Sequence, residues 1–119
     1  MIKVEDNTIT ITRGDSGFVT IPLVEVKKDE DTGEEIETPY ELKDGEVLRF
    51  AAAKKFGASK EECFIIREIP HDTMRLYFEP EDTKSQKFGS YKYDLEYTNT
   101  EGFVDTILKG TFIIGEEVY

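Results

Sequence analysis

The residues of this chain that could do chemistry are few and scattered. A nucleophilic thiol needs a base within hydrogen-bond reach, and the chain holds one cysteine, Cys63, and one histidine, His71. Cys63 opens the apolar run Cys63-Phe64-Ile65-Ile66, where a free thiol behaves as a small hydrophobe. His71 sits in the turn-like stretch Pro70-His71-Asp72. No nucleophile, base and orienting group can be assembled from this set, so the expectation is a protein that is not an enzyme. One histidine and one cysteine also put a zinc site of ordinary ligand composition out of reach. A single cysteine excludes an intramolecular disulfide. Gly14 and Gly17 precede a strand pattern, not a helix, so they form no phosphate loop. No cofactor is expected.

Four other groupings need weighing. Arg13-Gly14-Asp15 is an adhesion tripeptide, but Gly and Asp there have turn work to do between two strands. Asp29-x-Asp31-x-Gly33 opens like a calcium loop. Counted from Asp29, however, the fifth, sixth and twelfth positions are Gly33, Glu34 and Tyr40, where the EF-hand needs an acidic or amide residue, Gly and Glu. The acidic residues Asp29, Asp31, Glu34 and Glu35 therefore read as a solvated loop that could meet a partner. Glu61-Glu62 and Glu116-Glu117, placed on strands, would point to opposite faces and could not converge on one substrate. Tyr91, Tyr93 and Tyr97 share a strand face with Leu95, which reads as core with the hydroxyls reaching its edge. The alternative, a sugar-binding strip, requires two or more of Tyr40, Tyr77, Tyr91, Tyr93 and Tyr97 to be exposed and coplanar.

The elements that must position these groups have a period of two. Thr8-Ile9-Thr10-Ile11-Thr12 alternates cleanly, and a second strand over residues 18–24 follows a two-glycine turn, close enough for a hairpin. Pro22 makes that part of the second strand an edge or a bulge. Residues 25–39 form a charged hairpin tip or loop. The Asp44-Gly45 turn leads to a strand over 46–53 with Leu48, Phe50 and Ala52 on one face. Strands over 63–69 and 72–78 are joined briefly enough to pair antiparallel. Residues 80–87 can form one or two helical turns, with Asp82 or Thr83 as N-cap. Strands over 90–98 and 103–114 complete the chain, and Gly110 predicts a bulge or bend. Seven or eight short strands with at most one short helical turn predict an all-β, immunoglobulin-like antiparallel sandwich, one domain over residues 1–119. Such domains carry a tyrosine just after the E–F corner whose hydroxyl bonds back to the chain; Tyr91, after Gly89, is the candidate.

Composition bounds the partners. Fifteen basic against 26 acidic residues give a net charge of −11. That disfavours nucleic acid and anionic membranes, both of which need basic patches. A 38% hydrophobic, 12% aromatic chain is folded rather than disordered. No apolar run approaches the ~20 residues needed to span a bilayer, and the first residues lack a signal-peptide pattern. Synthesis in the cytoplasm without export is expected.

The order of Thr10-Ile11-Thr12-Arg13-Gly14-Asp15-Ser16-Gly17, then Pro22-Leu23, Tyr40-Glu41-Leu42-Lys43-Asp44-Gly45, Phe50 and Phe88-Gly89-Ser90-Tyr91-Lys92-Tyr93-Asp94-Leu95-Glu96 resembles small structural proteins of phages and prophages of Gram-positive bacteria. Within these it is similar to the immunoglobulin-like N-terminal domain of baseplate upper proteins. The resemblance implies a virion module of tail, baseplate or neck, working by contacts with other virion proteins as a homo-oligomer or hetero-assembly. With Tyr119 directly after the last predicted strand, no coiled-coil or receptor-binding extension is expected. The matched residues are architectural, so no functional set carries over.

Overall fold

A computed structural model describes residues 2–5, by their backbone, and residues 7–117; Met1, Asp6 and residues 118–119, which include both ends of the predicted domain, lie outside the described residues. The chain is an all-β sandwich. Among the described residues ten strands form: β1 (Ile2–Glu5), β2 (Thr8–Thr12), β3 (Gly17–Thr20), β4 (Val24–Lys28), β5 (Glu35–Pro39), β6 (Val47–Ala53), β7 (Ile65–Glu68), β8 (Arg75–Phe78), β9 (Gly89–Thr98) and β10 (Val104–Gly115). A six-stranded sheet runs β1-β2-β10-β9-β6-β7, faced by the pair β3-β8, while β4 and β5 pair with each other. The pair β3-β8 and the trio β6-β9-β10 occupy the B–E and C–F–G positions of the immunoglobulin order.

Alternation explains why these segments pack. Ile9 and Ile11, Leu48, Phe50 and Ala52, Tyr91, Tyr93 and Leu95, and Phe112 and Ile114 are buried on the inner face of the large sheet. Val19, Leu76 and Phe78 answer from the small one. Phe50 is the hub, its ring 5.3 Å from Tyr93, 5.9 Å from Phe78 and 6.0 Å from Phe112. The edge contact with Phe78 joins the two sheets across the core, while those with Tyr93 and Phe112 tie strands within the large sheet.

Several expectations are corrected. β2 and β3 do not form a hairpin, because β2 already has both edges taken, antiparallel by β1 and parallel by β10. The sheet is therefore mixed, not purely antiparallel. The chain crosses at residues 13–16 to the other layer, where β3 pairs with β8. β7 and β8 do not form a hairpin either: β7 pairs with β6 at the edge of the large sheet, and residues 69–74 carry the chain across to the other layer, where β8 pairs with β3. Pro22 lies in neither an edge strand nor a bulge but in the link between β3 and β4. The short helix α1 (Pro80–Lys84) is capped at Glu79, not at Asp82 or Thr83. Pro80 takes the first helical position, where its missing N–H costs nothing, and the Asp82 carboxylate reaches back to the Glu79 N–H at 2.7 Å.

Gly110 is neither bulge nor bend. The register shift falls between Thr106 and Leu108. A methyl group on Gly110 would lie 2.1 Å from the Asn7 carbonyl oxygen and 2.5 Å from the Tyr93 ring. The glycine makes room for its cross-strand neighbour Tyr93, whose hydroxyl donates to that same carbonyl at 3.0 Å. Burial raises the Tyr93 pKa.

Candidate functional site

The groups considered for chemistry are dispersed. Cys63 and His71 sit at opposite ends of β7, Cys63 just after a 3-10 turn (Lys60–Glu62) and His71 in the exposed link to β8. Neither glutamate pair lies on a strand. Glu61 and Glu62 belong to the 3-10 turn, where Glu62 accepts from the Ser59 N–H and hydroxyl at 3.0 Å each. Glu116 and Glu117 follow β10, and Glu117 is held by Arg13, Nε to Oε1 at 2.8 Å. Arg13 also lies over the Phe88 ring at 5.3 Å. Gly14 donates its N–H to the buried Thr83 hydroxyl at 2.8 Å. The adhesion tripeptide is thus tied into the corner by α1 and is not a free loop. Among the described residues no three His, Cys, Asp or Glu side chains are grouped to hold a metal ion, and no helix is long and apolar enough to cross a membrane.

Tyr91 opens the buried run of β9, and its hydroxyl donates to the Lys87 carbonyl, four residues upstream, at 2.6 Å. That is the bond a tyrosine corner makes. Tyr93 is buried beside it, and Tyr40 and Tyr97 both donate to the Glu46 carboxylate. Of the five tyrosines weighed as a sugar strip, Tyr77 alone is exposed, so the coplanar exposed pair is missing.

Two surface features stand out. The first is the β4–β5 arm. All ten residues of its strands are exposed, and the strands pack on each other without comparable packing on any other strand. Among the described residues each strand pairs only with the other, which leaves two open edges. Asp29, Asp31, Glu34 and Glu35 sit at its tip. The Asp29 carboxylate accepts from the Asp31 N–H at 2.8 Å, the Asp29 carbonyl accepts from Gly33, and Gly33 takes a positive φ of 73°. These bonds shape a tight reversal that presents Asp31, Glu34 and Glu35 to solvent. Between residues 24 and 39 seven carboxylates face two lysines, a net −5 out of the chain's −11. Register puts Val24, Val26, Glu35 and Glu37 on one face, with Pro39 and Lys28. The root is fixed: Tyr40 donates its N–H to the Leu23 carbonyl at 3.0 Å, and Glu46 receives the Tyr40 hydroxyl at 2.8 Å and the Lys43 N–H at 2.7 Å. The Glu46 hydrogen bond raises the Tyr40 pKa. The molecule measures 57 by 27 by 27 Å.

The second feature is a cleft of about 470 Å³ on the outer face of the large sheet. Its floor is Ala51 and Ala53, whose small side chains leave the space, and its apolar walls are Phe56 and Ile66. Four cations line it, Arg49, Lys55, Lys60 and Lys92, against two carboxylates, Asp94 and Glu96. Arg49 spans both carboxylates, at 3.3 and 3.0 Å; burial opposes its charge, but the two acids more than offset this and raise its pKa. Lys92 lies over the Phe56 ring at 5.7 Å. Among the described residues Lys55, Lys60 and Lys92 form no ion pair. The sequence signal for this cleft was the Ala51-Ala52-Ala53-Lys54-Lys55-Phe56 run. That run alone does not reveal a cleft, because only the fold brings Lys92 and Ile66 beside it.

Compared with protein-family models and with curated proteins, the chain matches none.

Proposed function

We propose that this chain is a non-enzymatic structural or assembly module of a phage or prophage particle, acting through protein–protein contacts in a tail, baseplate or neck. The observation that carries the contact half of this reading is the β4–β5 arm. A two-stranded hairpin is marginal in water by itself. This one holds out Val24, Val26 and Ile36, each about half exposed, with two unpaired edges and a fixed root. Exposed strand edges are natural templates for adding a further strand. The virion half rests on the resemblance of the turn and core segments. On this reading the chain enters the particle after synthesis in the cytoplasm, with neither nucleic acid nor membrane as partner.

The test is capture. The chain, and a version with residues 26–37 replaced by a two-residue Asn-Gly turn, are tagged and probed against the products of the neighbouring genes. The reading expects stable capture of a virion component, or of the chain itself, by the full chain and its loss on shortening the arm. A strictly monomeric chain that binds none of them, or capture indifferent to the arm, contradicts it.

A further inference from the structure

We infer that the β4–β5 arm of one copy seats in the Ala51–Ala53 cleft of a second copy, joining copies head to tail. This deepens the assembly reading and rests on it, by naming the first partner as the chain itself.

Three observations converge. The first is charge. A protein of net charge −11 should repel its own kind, yet its cleft carries four cations against two carboxylates while its arm carries net −5. The three lysines of the cleft without an ion pair are the groups an acidic strand would meet, and such complementarity steers association and fixes register. The second is the apolar match. The arm face bearing Val24 and Val26 also bears Glu35 and Glu37. The cleft offers Ala51, Ala53, Phe56 and Ile66 as floor and wall, with Lys55, Lys60 and Lys92 among them. Apolar residues can meet apolar ones while carboxylates meet ammonium groups. The third is placement. Glu46, which holds the arm's root, immediately precedes β6, and Ala53 ends that strand. At ~3.3 Å per residue the two are about 23 Å apart. Arm root and cleft floor therefore lie toward opposite ends of an elongated molecule. Joining one to the other between copies gives a heterologous contact, which closes into rings or runs on as filaments. The outer edge of β7, beside the cleft, is also unpaired among the described residues and open to the arm's backbone.

The test is a charge swap read by sedimentation. One variant carries Glu35→Lys and Glu37→Lys on the arm; the other carries Lys55→Glu and Lys60→Glu at the cleft. All four residues are exposed, so both variants keep the fold, which circular dichroism verifies. The wild-type chain is expected to self-associate, each variant alone to associate at least about tenfold more weakly, and an equimolar mixture of the two to recover association. As a second readout, Cys63 lines the cleft and is the only cysteine. A Val26→Cys, Cys63→Ser chain mixed with wild type should yield a cross-linked pair with a short bismaleimide, and a Lys27→Cys, Cys63→Ser chain, altered on the opposite face of the arm, should yield far less. A monomeric wild type, self-association unmoved by either reversal, or a mixture that fails to recover overturns the inference. If the chain is monomeric but its arm captures a neighbouring gene product, self-docking falls and the assembly reading stands; if it captures nothing, both fall.

Discussion

Replacing Gly110 with alanine should be among the most damaging single changes available to this chain, although it adds only one methyl group. That methyl would meet the Asn7 carbonyl oxygen at 2.1 Å and two atoms of the Tyr93 ring at 2.5 and 2.6 Å. The ring cannot swing away freely, because it is buried against Phe50 and its hydroxyl donates to Asn7. The carbonyl cannot move freely either, since it also accepts from the Thr111 N–H at 3.1 Å. Overpacking a core by a methylene or so costs ~1–3 kcal/mol, and each weakened hydrogen bond ~0.5–1.5 kcal/mol. Alanine returns only ~0.4–1 kcal/mol by restricting the unfolded chain. The expected net loss is about 3 kcal/mol, a large share of the ~5–15 kcal/mol that domains possess. At roughly 4 °C per kcal/mol for a chain of this size, Tm should fall by about 12 °C. The control is Gly115→Ala in the same strand, whose nearest obstacle is 3.7 Å away and which should change stability by less than about 0.5 kcal/mol. The chain has no tryptophan, so urea and thermal melts are followed by circular dichroism. If the two variants melt together, the close approach of β10, Tyr93 and Asn7 is wrong.

Three further outcomes are expected. Thr83→Val should cost ~1–3 kcal/mol in urea melts, because it strands the Gly14 N–H in a buried corner, whereas Thr83→Ser should cost far less. Burial pushes the Asp82 carboxyl up, but hydrogen bonds from Arg67 and the Glu79 N–H outweigh it and hold the pKa below the ordinary value. Its contribution is therefore complete above the unfolded value of ~3.9 and is lost as pH falls through the lower folded pKa. Asp82→Asn should be less stable than wild type at neutral pH, and the gap in chemical melts should close below about pH 4. Tyr91→Phe should lower stability by about 1 kcal/mol with the fold retained, as expected for one hydroxyl donating to the Lys87 carbonyl.

The layers of this fold were legible because alternation fixes which side chains share a face. Leu48, Phe50 and Ala52, and Tyr91, Tyr93 and Leu95, read directly as the core. The pairing partners were not legible, since period two says which way a residue faces but not which strand lies beside it. The short links at 13–16 and 69–74 suggested hairpins, yet each crosses between layers: β2 is flanked by β1 and β10, and β8 pairs with β3 in the other layer rather than with β7. Gly110 was visible as an anomaly, but its cause lies with Asn7 and Tyr93, 103 and 17 positions away in sequence. The acidic residues at the arm's tip were visible as a charge run. The flanking strands that make them an arm were hidden by their charge, and the cleft needed residues from β6, β7 and β9 to be brought together.

The central claim is that this domain works through its β4–β5 arm, and amide hydrogen exchange tests it most directly. In dilute solution residues 24–39 should exchange rapidly, as a two-stranded hairpin exposed on both faces must. As concentration rises into the range where sedimentation shows association, protection should rise over residues 24–39 and 54–64 together, with the core strands unchanged. Association that leaves both segments exchanging at their dilute rates would contradict the account.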